Sequence, residues 1–145
     1  MRSPRLSTEM VHATTVARDG RAVLISGPSG SGKSDLALRL LDCGFTLVSD
    51  DQTIVRRDGD RLLASAPTTI AGKLEVRGIG IVEVAYVADV PVALLVELSG
   101  DIQRLPDDSR LRPIMGLDVP IVGIDAMAAS AASKVSLALD QMGLQ

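Results

Sequence analysis

The sequence predicts an α/β fold that is rich in strands and built around a phosphate-binding loop. Three observations lead there. Residues 27–34 read Gly27-Pro28-Ser29-Gly30-Ser31-Gly32-Lys33-Ser34, which fits G-x-x-x-x-G-K-[ST] at every fixed position, between an apolar run and a helical pattern. About seven short segments carry strand patterning, against only two with helical periodicity. Apolar residues make up 46% of the chain and aromatics only 1%, so any core must be aliphatic.

Val11 to Ala17 alternates and is β-branched, as a strand does. Asp19-Gly20 is a hairpin turn signal, which makes Arg21 to Ser26 the partner strand feeding the loop. Lys33 to Cys43 predicts a helix with Leu36, Ala37, Leu40 and Leu41 on one face and Gly44 as its stop. Cys43, the only cysteine, reads as a small packed residue. Phe45 to Ser49 is a short apolar strand ending in Asp50-Asp51. Thr53 to Arg57, Asp58-Gly59 and Arg61 to Ser65 predict a second hairpin. Pro67 to Lys73 is a connection. Leu74 to Ile81 contains Glu75-Val76-Arg77-Gly78-Ile79-Gly80, and Val82 to Val87 and Val92 to Leu98 read as strands. Gly100 to Pro113 is polar and proline-bounded, hence a loop. Val119 to Ile124 is a last strand. Ser133 to Met142 is a helix by the spacing of Val135, Ala138, Leu139 and Met142. Strict βαβα alternation is absent, which argues against the usual small-molecule kinases and GTPases.

The 145 residues are the length of one domain. A net charge of −3 without a basic stripe gives no electrostatic footprint for nucleic acid. The longest apolar runs, such as Val90 to Val96, are too short to span a bilayer. Arg2 and Arg5 precede no apolar run, so no signal peptide is expected. One cysteine allows no internal disulfide. The chain therefore reads as a soluble cytoplasmic domain.

Phosphoryl transfer needs a phosphate cradle, a metal, a group for the nucleophile's proton, and charge neutralisation. In the loop, converging amides and a helix N-terminus suit an anion. Lys33 suits the β- and γ-phosphates of ATP, and the Ser34 hydroxyl suits Mg2+. Asp50 and Asp51 follow an apolar strand, at the end where α/β sheets bind ligands. As neighbours they point in different directions, so one suits metal-bound water and the other a hydroxyl proton. Glu75 and Arg77 share a face if the chain is extended. Glu75 suits Mg2+ and Arg77 a phosphate. Gly78 and Gly80 permit close approach of a ligand or another backbone. His12, the only histidine, lies on the strand paired to the one feeding the loop, which would bring its imidazole near the phosphates.

Together, His12, the loop Gly27 to Ser34, Leu47-Val48-Ser49-Asp50-Asp51 and Glu75-Val76-Arg77-Gly78-Ile79-Gly80-Ile81 resemble the catalytic domain of HPr kinase/phosphorylase. The last segment looks like that family's signature. The resemblance implies a β-rich mixed sheet with few helices and a nucleotide site like that of PEP carboxykinase. It implies an ATP- and Mg2+-dependent kinase acting on a serine of HPr, the phosphocarrier of the sugar phosphotransferase system. By the match, Asp51 accepts the serine proton, Lys33 binds phosphate, Ser34 and Glu75 place Mg2+, and His12 and Arg77 assist at the transferring phosphoryl. In the family's reverse-type reaction, phosphate attacks phosphoserine and releases pyrophosphate, with Asp51 as proton donor. The resemblance also implies a homo-oligomer, a hexamer in the family.

The chain departs from the family pattern in three ways. His12 falls almost at its start, so residues 1–145 read as one kinase domain without the N-terminal domain of the long forms. Three candidates stand for the family's downstream arginine: Arg104, Arg110 and Arg112. The family's basic loop, associated with dephosphorylation, is here Val119-Pro120-Ile121-Val122-Gly123-Ile124-Asp125, with no Arg or Lys. The family's partner-docking helix also ends early, at Gln145. Such short forms resemble those of alpha-proteobacteria, which implies a phosphocarrier serving regulation, in a phosphorelay, instead of sugar uptake. Two competing readings are an ATP-sensing interaction module without productive transfer, and a kinase for a small hydroxylated metabolite.

Overall fold

The computed structural model describes residues 7–98 and 110–145. In chain order the elements are β1 (Thr8–Val11), β2 (Ala13–Arg18), β3 (Arg21–Ser26), α1 (Lys33–Leu41), β4 (Thr46–Ser49), β5 (Thr53–Asp58), β6 (Arg61–Ser65), β7 (Lys73–Val76), β8 (Gly80–Glu83), β9 (Val90–Leu98), β10 (Leu111–Ile114), β11 (Leu117–Ile124) and α2 (Ala131–Met142). The sheet-rich α/β class with two helices is as expected.

β9 organises the sheet. Its near-continuous apolar sequence, Val90-Pro91-Val92-Ala93-Leu94-Leu95-Val96, is that of a strand covered on both faces. One edge of β9 pairs with β3 in parallel. Its other edge pairs first with β6, antiparallel, and then with β11, parallel. Beyond β3 lie β2 and β4, both antiparallel additions, and beyond β6 lie β5 and β1.

The two-residue period divides the core. Val23 and Ile25 of β3 and Leu94 and Val96 of β9 face α1, α2 and β7, where they meet Leu36, Leu40, Leu74, Val135 and Leu139. Ala22 and Leu24 face the other way, toward Val55, Leu62 and Ala64 of the hairpin β5–β6 and Val119 and Ile121 of β11. The sheet thus curls over one of its own faces while the helices cover the other. Phe45 is the one buried aromatic, and Tyr86 is half exposed.

Several expectations change. Val11 to Ala17 is not one strand. Val11 pairs with Thr53 of β5, and Ala13 pairs with Ser26 of β3, so the chain changes partners at His12. The strand expected at Val82 to Val87 is shorter and earlier, because Gly78 and Gly80 turn the chain back on itself as the hairpin β7–β8. Those glycines serve backbone conformation, at φ 86 and 117, and a Cβ on either would meet nothing within 4 Å. Among the described residues no close approach of another backbone explains them. The hairpin also leaves Arg77 in the turn after β7, so the extended geometry that would align it with Glu75 ends at Val76. The second hairpin turns at Gly59-Asp60, since Asp58 pairs with Arg61. The loop expected over Gly100 to Pro113 contains β10 from Leu111 onward. Cys43 is exposed, because α1 ends at Leu41 and the chain turns before Phe45 re-enters the core.

Candidate active site

Register brings the chemistry-bearing residues to one end of the sheet. Ser26, the last residue of β3 before the phosphate loop, pairs with Ala13 on one side and Glu97 on the other. His12, Thr14 and the carboxyl end of β9 therefore lie beside the loop. Ser49 pairs with Thr15, which places Asp50 and Asp51 at the same end.

The loop is built for an anion. Ser31 N–H donates to the Pro28 carbonyl at 3.0 Å, which tightens the turn. α1 opens at Gly32 with no side-chain cap, so amides at its first turn remain available to a ligand. The Ser31 hydroxyl oxygen is buried and has no hydrogen-bond partner among the described residues. Lys33 is only 6% exposed, and its ammonium donates to the carbonyls of Gly27 (2.9 Å) and Pro28 (3.1 Å), inside the arch of the loop. A buried ammonium, uncapped amides and an orphaned hydroxyl form a donor set that fits a phosphate chain.

Asp50 is buried and fully engaged. Its Oδ1 accepts from the Ser34 hydroxyl (2.6 Å) and the Thr14 hydroxyl (3.1 Å), and its Oδ2 accepts from Glu75 N–H (3.0 Å). A hydroxyl that donates to a carboxylate turns its lone pairs outward, as a Mg2+-binding serine must. Asp51 is exposed, and its Oδ1 lies 2.8 Å from His12 Nε2, which is also exposed. The Asp51 backbone has φ 68, and Gln52 N–H donates to the Asp50 carbonyl at 2.8 Å. This is a γ-turn of the rare positive-φ kind, a conformation that costs a non-glycine residue about 1–3 kcal/mol. Asp51 N–H donates to the Thr14 hydroxyl at 3.1 Å.

The expected residues thus form three groups: Lys33 with the loop, Ser34 with Asp50, and His12 with Asp51. The Glu75 backbone joins the second group, while its carboxylate is exposed on the outer face of β7. Neither that carboxylate nor Arg77 forms an ion pair with another described residue. No cluster of three or more His, Cys, Asp or Glu side chains converges among the described residues. Of the three arginines, Arg112 pairs with Glu97 at 3.0 Å, the Arg110 carbonyl accepts from Ile121 N–H, and Arg104 lies outside the described residues. Thr14 and Glu97 were missed by the sequence reading. Thr14 gave one faint signal, a hydroxyl on the same face of β2 as the buried Val16.

Residues 5–139 match the family described as HPr Serine kinase C-terminal domain. This chain belongs to that family. Similar curated proteins include the HPr kinase/phosphorylases of Chlorobium luteolum, 37% identical over 128 residues, and of Prosthecochloris aestuarii, 32% identical over 127 residues. Each alignment takes in 79% of this chain but 39% and 37% of the relative, so the chain spans about two fifths of the length of the curated relatives it matches. The solved structure titled Hpr(Ser) kinase/phosphatase from Coxiella burnetii is 28% identical, with a TM-score of 0.78, covering 91% of this chain and 94% of that one. The β-rich fold expected from the resemblance is the fold of that HPr kinase domain. Among the described residues no helix is long and apolar enough to cross a membrane.

Proposed function

We propose that this kinase-family domain, as a single catalytic unit, transfers the γ-phosphoryl group of ATP to a serine of an HPr-like phosphocarrier, with Mg2+ as cofactor. The observation that carries this reading is the division of labour between Asp50 and Asp51, one buried on the phosphate-loop serine and the other solvent-facing on His12.

Lys33 and the amides of residues 27–34 hold the triphosphate. Ser34 would hold Mg2+, with Asp50 accepting the Ser34 hydrogen, and the resemblance assigns a further metal oxygen to Glu75, whose backbone N–H is bonded to Asp50. When bound, the metal ion supplies charge neutralisation at the phosphates. Asp51 accepts the serine proton as the serine oxygen bonds to the γ-phosphorus and the bond to ADP breaks. His12 orients the Asp51 carboxylate through their hydrogen bond, and the resemblance assigns Arg77 to the transferring group. The same carboxylate returns the proton when phosphate attacks phosphoserine. The absence of Lys and Arg from Val119 to Asp125 favours the kinase direction over that reverse one. The domain acts in the cytoplasm, as a homo-oligomer, with no nucleic-acid or membrane partner.

The test is incubation with labelled ATP, Mg2+ and the host's phosphocarrier, followed by mapping of the modified residue. Label on a carrier serine, at a rate lowered at least about 10²-fold by Asp51→Asn with ATP affinity kept, is the expected result. Tight Mg-ATP binding without transfer would replace this reading with a nucleotide sensor. Turnover on a free metabolite alone would replace it with a small-molecule kinase.

A further inference from the structure

Thr14 is fully buried in β2, opposite Ile25 of the strand that feeds the phosphate loop. A threonine hydroxyl has one hydrogen to give and lone pairs to receive with. Here it gives that hydrogen to Asp50 Oδ1 and receives one from Asp51 N–H, both at 3.1 Å. One oxygen atom thus ties together the two members of the acidic pair. The turn it holds is the strained one, with Asp51 at φ 68. That φ sends consecutive side chains to different surroundings, Asp50 inward to Ser34 and Asp51 outward to His12.

We propose that Thr14 is a positioning residue for phosphoryl transfer. It touches neither nucleotide nor acceptor. It anchors the Asp51 backbone so that the carboxylate points to the acceptor side, while the Ser34 hydroxyl and Glu75 N–H keep their own bonds to Asp50. The inference rests on the kinase reading for its consequence, but its structural half stands separately. Valine keeps the shape of threonine while removing both hydrogen bonds, and serine keeps the hydroxyl.

The experiment measures carrier phosphorylation, ATP binding, melting temperature and amide exchange for Thr14→Val and Thr14→Ser. Misplacing a reacting group by an ångström costs about 10²-fold, so Thr14→Val is expected to lower kcat about 30-fold or more while KM for ATP moves less than about threefold. Thr14→Ser is expected to retain kcat within about threefold, and in an Asp51→Asn background Thr14→Val is expected to add less than about threefold, since the two act as a unit. Equal kcat for both Thr14 variants, or a lowered melting temperature with kcat unchanged at a temperature where the protein is folded, overturns the proposal. Should the wild type transfer nothing, the kinase reading fails and amide exchange decides the positioning. Protection at Asp51 that is lost in Thr14→Val and kept in Thr14→Ser upholds it, and unchanged protection overturns it.

Discussion

Asp50 and Asp51 are adjacent in sequence, yet one is 8% exposed and the other opens to solvent. Burial with three donors on Asp50 fits a group held in one orientation. Replacing it with asparagine removes one acceptor oxygen and the local negative charge, while keeping the shape. The expected outcome for Asp50→Asn is weaker Mg2+-dependent binding of ATP, by about tenfold or more, with metal-free binding little changed, because hydrogen bonds to a charged acceptor contribute about 1.5–3 kcal/mol each. Calorimetry with and without Mg2+ measures it, and equal losses in both conditions would contradict the assignment. The position of this pair was legible in the sequence, since a short apolar strand ending in two acids places them at a sheet edge. That the two point in different directions was legible too; the arrangement that buries one of them was not. It depends on the hydroxyls of Thr14 and Ser34, which arrive from β2 and α1, and on a positive φ at a residue type that rarely adopts one. The alignment of Glu75 with Arg77 was misjudged for a similar reason, since the chain turns immediately after Val76.

α1 links the site to the core. Its first residues, Lys33 and Ser34, belong to the phosphate loop, and three residues further on Leu36, Ala37 and Leu40 are fully buried against the sheet. Gly44 follows it at φ 90, and Phe45 N–H returns to the Leu40 carbonyl at 3.2 Å, so Leu40 helps close the helix as well as pack it. Leu40→Ala is expected to cost about 2–5 kcal/mol of stability, the range for removing a buried leucine. Urea unfolding measures this, and a loss below about 1 kcal/mol would show that the helix is not held by this face. The α1 helix and β3 were legible because each carries its own period and its own end signals. Val11 was read into one strand with β2 because alternation continues across His12, where only pairing with two different strands reveals the break, and the exposed remainder of β1, Thr8 to Met10, was not read as a strand. β10 was hidden because Leu111-Arg112-Pro113-Ile114 is nearly all exposed and contains a proline, so it lacks the apolar alternation by which strands are read.

The molecule divides into a deeply supported sheet and a satellite hairpin. β9 is paired along both edges and covered on both faces. Hairpin β7–β8 forms a two-stranded sheet of its own. It is held to the rest of the molecule by Leu74 and Val82 packing on the helix-side core and by Glu75 N–H on Asp50. Two-stranded hairpins are marginal by themselves, so this unit depends on those few attachments. The last of them reaches directly into the site, because the carboxylate that holds the Ser34 hydroxyl also holds the backbone of β7. Local stability should follow the same division. Amides of Leu94 to Val96 are expected to exchange only through global unfolding, and amides of β7 and β8 through local opening, at rates at least about tenfold faster. In the proposed function Mg-ATP ties Ser34 and Asp50 together, so at saturation it should slow exchange at Glu75 and its hairpin neighbours by more than it slows exchange at the β5–β6 turn. In Asp50→Asn the acceptor for Glu75 N–H is weakened, and this ligand-dependent slowing should shrink. Hydrogen exchange read by mass spectrometry on the wild type and the variant measures all three effects. Equal protection of β7–β8 and β9, or a ligand response at β7 that Asp50→Asn leaves untouched, would show that the hairpin does not draw its order from the acidic pair.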